Sequence, residues 1–581
     1  MLKLNGTGIG GGIVIGRARV LASASRDVMR RRIDAGDIAA EQQRLSQAVD
    51  QVRSELQALV QSLPEAAPAE AAALLEVHAM ILGDPALSGA AHTAIANHRW
   101  NAEWAMSAQA GQLAAQFEEL ADPYLRERGR DVEQVAERVL RALAGLSAPQ
   151  TDSEEPAIVV AADISPADML SLRSALGFAI DLGGATSHAA ILARSMNVPA
   201  VLGLGAAHGR VSDDDWLILD GEAGVLIVSP DEPVLADYRR RQLEGEREQV
   251  KLQALAGVAA RTRDGVDIAL HLNLERSEEA FDAAGSDAAG VGLFRSEFLF
   301  MNRADLPGED EQFEAYREVV RAMAGRPVTI RSIDIGADKA LDAGSGAPPS
   351  VAPNPALGRR AIRYSLAEPE VFLVQLRAIL RVAALGPVRL LVPMVAHHHE
   401  VDAVFAHVGR AREQLREAGA AADAVLPIGA MIEVPAAALC AGYFARRLDF
   451  LSIGTNDLVQ YALAIDRADH EVAALYDPFH PAVLQLVAMT IQQARAAGRP
   501  VSVCGEMAGD WQATRLLLGM GLTEFSMHPA SLLRIKREIL DADTSLLAPE
   551  VSRLIAAADP ARTAAWIANL GAPRESLRRS L

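Results

Sequence analysis

The chain has 581 residues, half of them hydrophobic, and a formal net charge of -19 at pH 7. That length exceeds what one hydrophobic core organises and implies about three or four domains of ~150 residues. The acidity argues against nucleic acid, whose phosphates need a basic surface. Only two cysteines occur, Cys440 and Cys504, which argues against a disulfide framework and fits a reducing compartment. The N-terminal run is Gly-broken and unlike a signal peptide, and no apolar run reaches about 18 residues, so the sequence reads as soluble and cytoplasmic without membrane insertion.

Taken in chain order, residues 8–21 read as one or two strands with a glycine turn. From about Asp37 to Leu146 apolar residues recur at helical spacing, as at Leu45, Val49, Val52, Leu56 and Leu59, which predicts a helical insert. Breaks at Pro64 to Pro68, Gly83-Asp84-Pro85 and Asp122-Pro123 divide it into four long helices. From Ala157 short β-rich runs follow, with one helix after Ser187, predicting a compact α/β domain that receives the insert. Residues 232–258 read as one long connecting helix. From Asp267 onward eight strand-like runs alternate with helical segments: DIALHLNL, AAGVGLF, PVTIRSID, VRLLVPMV, VLPIGAMIE, LDFLSIG, PVSVCGE and TEFSM. Such alternation over roughly 280 residues predicts a (β/α)8 barrel. The segment after Asp541 gives no clear signal.

His188 lies in GGATSHAAILAR, residues 183–194. Glycines permit close backbone approach, Thr186 or Ser187 can cap a helix, and the helix that follows offers its N-terminal amides to an anion beside the imidazole. The bland reading of a lone histidine is a core or surface residue; the flanking pattern favours a phosphoryl-bearing one.

Barrel sites lie at the C-terminal ends of strands. By that rule Arg295, Arg331, Glu433, Asn456, Asp457 and Cys504 face one mouth. Converging arginines suit a ligand that carries carboxylate and phosphate. Glu433 and Asp457 offer oxygen ligands to a divalent cation, with a salt bridge to the same arginines as the competing reading. An ordinary thiol at Cys504 is protonated at neutral pH and can donate a proton. Cys440, inside VPAAALCAGYF, reads as a small core residue. In His397-His398-His399 three consecutive side chains diverge, so the run reads as something other than a metal site.

These blocks resemble enzyme I of the bacterial phosphoenolpyruvate-dependent sugar phosphotransferase system. GGATSHAAILARSMNVPAVLG resembles its phosphohistidine signature, GVGLFRSEFLFM and RSIDIGADK its first barrel blocks, and NPALGRRAIR, IEVPAA, IGTNDLVQY, AIDR and VSVCGEMAGD follow in order. The resemblance implies a multidomain α/β protein: a phosphohistidine α/β domain over 1–30 and 148–230, a helical insert over 31–147 that binds the phosphocarrier protein HPr, a linker helix over 231–262, and a (β/α)8 TIM-type barrel over 263–581 that binds phosphoenolpyruvate and forms a homodimer. It makes His188 the phosphorylated residue and Cys504 the proton donor. Arg295, Arg331 and Arg467 would bind phosphoenolpyruvate, assisted by Asn456 and with Arg360 nearby; Lys339 is a weaker candidate. Glu433 and Asp457 would hold Mg2+. Large domain motion about 145–157 and 228–262 would follow.

Ala185, Arg359 and Ala337 depart from residues common in the family. A dikinase or phosphoenolpyruvate synthase would carry a large ATP-binding domain, for which the chain has no room. A regulatory protein without turnover would not need the full set of site residues. The nitrogen-regulatory branch usually has an extra N-terminal sensory domain, whereas here the β-rich start runs directly into the insert, which favours sugar uptake.

Overall fold

The computed structural model describes all residues except 22–27, 63–68, 119–122, 147–155, 173, 185–186, 197, 302, 304, 336–353, 468, 470–471 and 571–581. Its elements fall into two compact units, Met1–Gln249 and Val250–Leu581. The expectations on Ala185, Thr186, Ala337 and Lys339 lie outside the described residues.

The first unit is built on an eight-stranded sheet of β1 (Leu2–Asn5), β2 (Thr7–Ile9), β3 (Ile13–Val20), β4 (Ile158–Ala161), β5 (Gly177–Ile180), β6 (Ala200–Leu202), β7 (Trp216–Asp220) and β8 (Val225–Val228), in the order β1-β8-β7-β3-β4-β5-β6-β2. Strands β3, β4, β5 and β6 run parallel, and the remaining pairs are antiparallel. Every residue of β4, β5 and β6 is buried, as expected of parallel strands covered on both faces.

Among the described residues five α-helices rather than four stand between β3 and β4: Ile38–Ser62, Ala69–Gly83, Ala90–His98, Ala102–Glu118 and Pro123–Leu143. The unforeseen break falls at Arg99, in left-handed conformation with φ 54°. No glycine or proline marks it in the sequence. The predicted stripe is core: Leu45, Val49, Val52 and Leu56 are buried and Leu59 packs against them, with Ile95, Met106, Val135 and Val139 opposite. Leu45→Ala is expected to cost about 2–5 kcal/mol through lost burial plus the cavity left behind. A urea titration followed by far-UV circular dichroism measures it; an unshifted midpoint would contradict the packing assignment.

A short helix the sequence reading did not anticipate, Pro166–Ser171, follows β4 and meets the insert's last helix. Asp168 lies 3.3 Å from Arg138 and 3.4 Å from Arg141, and Ser165 Oγ donates to it at 2.7 Å. The helix Glu232–Gln253 carries the chain from one unit into the other.

The second unit is a closed barrel of β9 (Ala269–Leu274), β10 (Gly290–Arg295), β11 (Val328–Arg331), β12 (Val388–Val392), β13 (Ile428–Ile432), β14 (Phe450–Ile453), β15 (Val501–Val503) and β16 (Glu524–Met527). All neighbours are parallel, and β16 closes onto β9. Seven strands fall inside their predicted runs, and β10 extends one residue past AAGVGLF to Arg295. Inside the barrel the Phe450 ring occupies the space that a Cβ on Gly429 would need, 2.6 Å away. Past the barrel, the segment without a clear sequence signal forms the helices Thr544–Ala557 and Pro560–Leu570. The first packs on Trp511–Met520 where Gly519 meets Val551, and Asp264 accepts from Thr544 N at 3.0 Å.

Cys440 is exposed rather than a core residue. The apolar run around it breaks into two short helices, Pro435–Leu439 and Ala441–Arg447, and at the junction Leu439 and Cys440 turn outward. Among the described residues no helix is long and apolar enough to cross a membrane.

Candidate active site

The ends of β10 and β11 each deliver an arginine. Arg295 closes β10 with Nη1 2.6 Å from Glu275 Oε1, and it lines a cavity of about 480 Å³ together with Asn273, Thr455, Cys504, Glu506 and Met527. Arg331 closes β11 and is buried. Its guanidinium pairs with Glu297, and its Nη1 lies 3.0 Å from Asp334 Oδ2. Burial opposes the charge on Arg331, yet Glu297 and Asp334 outweigh it and raise its pKa beyond the ordinary arginine value. Arg360 takes the other oxygen of Asp334 at 3.0 Å, approaches Asp457 Oδ2 at 3.5 Å and donates to Tyr461 OH at 3.2 Å. Asp334 thus ties two arginines into one shelf.

Glu433 follows β13 and is fully enclosed. The backbone N–H of Met394 donates to its Oε1 at 2.5 Å, from a residue with φ 57°. Burial, reinforced by Asp457 and Asp334, pushes Glu433 well above the usual carboxylate range. Asp457 sits in the first turn of the helix Thr455–Leu463, with Oδ1 buried and without a hydrogen-bond partner. Two enclosed carboxylates, one holding an unused oxygen and one disfavoured as an anion, fit a divalent cation that also draws on substrate oxygens and water. Next to Arg360, buried Ala361 has φ 51° and ψ -129°, a glycine-like conformation whose strain is on the order of 1–3 kcal/mol. Strained non-glycine backbone therefore flanks both the arginine shelf and the carboxylate pair.

Cys504 stands just past β15, buried against Leu293, Leu391, Met431 and Phe450 in the barrel interior. Its Sγ is 3.6 Å from Ile453 O, and burial pushes the thiol up to about 11. Asn456 is held to Glu506, accepting from its N–H at 2.8 Å and donating to its carboxylate at 3.2 Å. Arg467 lies beyond the left-handed residue Ala464, with its backbone N–H on Gln460 at 3.1 Å and its side chain exposed. The structure thus gathers Arg331, Arg360, Glu433 and Asp457 into one network and puts Arg295 and Cys504 on one cavity; among the described residues no hydrogen bond or ion pair joins the Arg467 side chain to them.

Sequence reasoning gave no role to Glu297, Asp334, Glu275, Thr455 or Tyr461. Asp334 was visible within RSIDIG, three residues after Arg331. Glu297 was visible two residues after Arg295. Asp334 is an i,i+3 partner of Arg331, whereas Glu297 reaches it from the neighbouring strand end, which the sequence alone does not announce.

In the first unit the helix His188–Ser195 begins at His188. Ser187 caps it, accepting from Ala190 N at 3.3 Å and donating to Gly184 O at 2.9 Å. Gly183 has φ 95°, the left-handed turn that brings the chain out of β5. The cap at Ser187, the turn and the following helix are the parts of an anion cradle.

The three histidines open the helix His398–Glu417. His397 and His399 stack at 5.2 Å between centroids, all three are exposed, and Glu400 accepts from the backbone N–H of His397 at 2.8 Å. Among the described residues no group of three or more His, Cys, Asp or Glu side chains is arranged to hold a metal ion.

The chain that carries this barrel, with arginines and paired carboxylates at its strand ends, is similar to the phosphoenolpyruvate-utilising enzymes. The models of that class match residues 5–128 (N-terminal domain), 153–224 (mobile domain) and 249–544 (PEP-binding domain). The chain is 54% identical to the phosphoenolpyruvate-protein phosphotransferase of Cupriavidus necator, over 98% of this chain and 99% of the relative. It is 38% identical to that of Geobacillus stearothermophilus, over 92% of each. A solution NMR structure of an enzyme I protein, 32% identical, covers 42% of this chain and 99% of its own with a TM-score of 0.36. The chain belongs to the phosphoenolpyruvate-protein phosphotransferase family.

Proposed function

We propose that this protein transfers the phosphoryl group of phosphoenolpyruvate to His188 and then to the carrier HPr, releasing pyruvate, as the first step of sugar uptake. The single observation that carries this reading is the network of Arg331, Arg360, Glu433 and Asp457 at the strand ends that also bear Arg295 and Cys504. The division of labour follows: 1–30 with 148–230 bear the phosphohistidine, 31–147 dock HPr, 231–262 link, and 263–581 bind substrate and form a cytoplasmic homodimer. Loading and handover require His188 to travel between mouth and carrier.

Arg295, Arg331, Arg360 and Arg467, with Asn456, hold the phosphate and carboxylate of the substrate. Glu433 and Asp457 would hold Mg2+, which when bound supplies positive charge to the phosphoryl oxygens. Neutral imidazole of His188 attacks phosphorus in line; the P–O bond to the enol oxygen breaks as the N–P bond forms, and the arginines stabilise the charge spread over the oxygens. The enolate takes a proton on its methylene carbon from Cys504 Sγ, giving pyruvate.

Phosphoenolpyruvate labelled at phosphorus, with Mg2+ and purified protein, is expected to leave an acid-labile label that an HPr-type carrier chases off. Persistence of that label in His188→Ala, or labelling from ATP as a dikinase would give, contradicts the reading.

A further inference from the structure

Behind the arginine shelf lies a buried polar network that the proposed reaction does not use directly. Gln375 sits on the inner face of the helix Pro369–Ala383 and has no exposed surface. Its Nε2 donates to Ser296 Oγ at 3.0 Å and to Tyr316 OH at 3.1 Å, while its Oε1 accepts from Ile333 N at 2.9 Å. Ser296 Oγ in turn donates to the backbone carbonyl of Arg331 at 2.6 Å, and Tyr316 OH donates to Gln312 Oε1 at 3.2 Å. Gln312 closes the chain on Pro307 O at 3.0 Å. Ser296, Gln312 and Tyr316 are as buried as Gln375.

Donors and acceptors in this chain run in one direction, and both amide hydrogens and the amide oxygen of Gln375 are engaged. A buried amide so satisfied has one orientation, since any rotation strands a donor or an acceptor in an apolar interior. The two groups it fixes are those that matter to the shelf. Through Ser296 it reaches the carbonyl of Arg331, and through Ile333 it pins the segment between Arg331 and Asp334. Ser296 also sits between Arg295 and Glu297, the ion partner of Arg331.

We infer that Gln375 is a positioning residue for substrate phosphate: it touches no substrate, and it sets the aim of Arg331 and Asp334 from the outside of the barrel. The inference rests on the reading that Arg331 binds phosphoenolpyruvate. Placement errors of about 1 Å in such groups are enough to cost up to about a hundredfold in rate, so a residue that fixes two shelf positions controls affinity without contact.

Gln375→Met keeps volume and removes all three bonds. The expected result is a KM for phosphoenolpyruvate raised about tenfold, with kcat changed less than about threefold. Handover from phosphorylated enzyme to an HPr-type carrier should be unchanged. Gln375→Glu, which keeps the acceptor for Ile333, should fall between Met and wild type. Ser296→Ala should raise the KM on its own and add little to Gln375→Met, because both act on the Arg331 carbonyl. An unchanged KM in Gln375→Met overturns the inference, as do effects of Ser296→Ala and Gln375→Met that multiply independently. Parallel loss of KM, kcat and handover, with a lowered melting temperature in both Gln375 variants, overturns it in favour of a purely structural role. Arg331→Ala separates the two layers: an unchanged KM there sinks the reading of the shelf itself, whereas a raised KM there beside an unchanged one in Gln375→Met sinks only the positioning role.

Discussion

Cys504→Ala is expected to slow pyruvate release by about 10²–10⁴-fold, the range contributed by a positioned general acid. Transfer from phosphorylated His188 to the carrier should proceed at the wild-type rate. The thiol lies among apolar side chains of the barrel interior, and that burial pushes it up to about 11. It therefore stays protonated through the neutral range, which a proton donor to the enolate carbon requires. The pH profile of pyruvate formation should show no descending limb at the ordinary thiol value of about 8.5. Stability follows the same linkage. The folded pKa is raised, so this group's contribution is intact below the unfolded thiol's value and is lost as pH rises from about 9 toward 11, where only the unfolded chain has released the proton. Cys504→Ala removes that alkaline loss. Rapid-quench measurement of pyruvate, with carrier handover followed separately, tests the assignment: equal loss in both half-reactions, or a rate limb near pH 8.5 that vanishes in the variant, contradicts it.

The parts of this fold that the sequence announced are those governed by local rules. Each barrel strand is a short apolar run between turn signals, and the helical stripe of Leu45, Val49, Val52 and Leu56 has one periodicity to satisfy. The cap at Ser187 and the left-handed Gly183 are likewise local chemistry. What stayed hidden depends on closure. Arg331 at the end of β11 could be assigned to the mouth from its position, and Asp334 is its i,i+3 neighbour, but its partner Glu297 comes from the end of the adjacent strand β10, which only the pairing of the two strands brings close. Gln375 is one amide in an apolar helix, and only the packing of that helix on the barrel brings it to Ser296 and Ile333. Cys440 was misread for a related reason: an apolar run says that a segment is buried, not where two short helices within it meet and expose a residue. The break at Arg99 and the helices after Asp541 carry neither glycine nor a strong stripe.

Arg331→Met is expected to produce the largest combined loss of stability and binding. Wild-type Arg331 is buried between Glu297 and Asp334, and removal of its charge takes the cation from Glu297 and one of two from Asp334. Breaking a buried pair by deleting one partner costs about 3–5 kcal/mol, because the remaining charge stays out of water. Asp334 keeps Arg360, so the penalty falls mainly on Glu297, which burial already pushes upward against the pull of Arg331. Without that pull Glu297 rises further. A carboxyl whose folded pKa is raised is less costly in its protonated form, so the variant's deficit should be largest at neutral pH and narrow as pH falls toward the ordinary carboxylate range. Arg331→Lys restores charge but not the planar fork that serves two carboxylates, and should recover only part of the stability. If Arg331 holds the substrate phosphate as proposed, binding of phosphoenolpyruvate should weaken by about a hundredfold or more in Arg331→Met, roughly 2.7 kcal/mol of affinity. Scanning calorimetry of the barrel unit at pH 5 and pH 7.5, paired with titration of phosphoenolpyruvate, reads both effects. A deficit independent of pH would place the loss in packing rather than in the stranded carboxylates, and unweakened binding would remove Arg331 from the substrate.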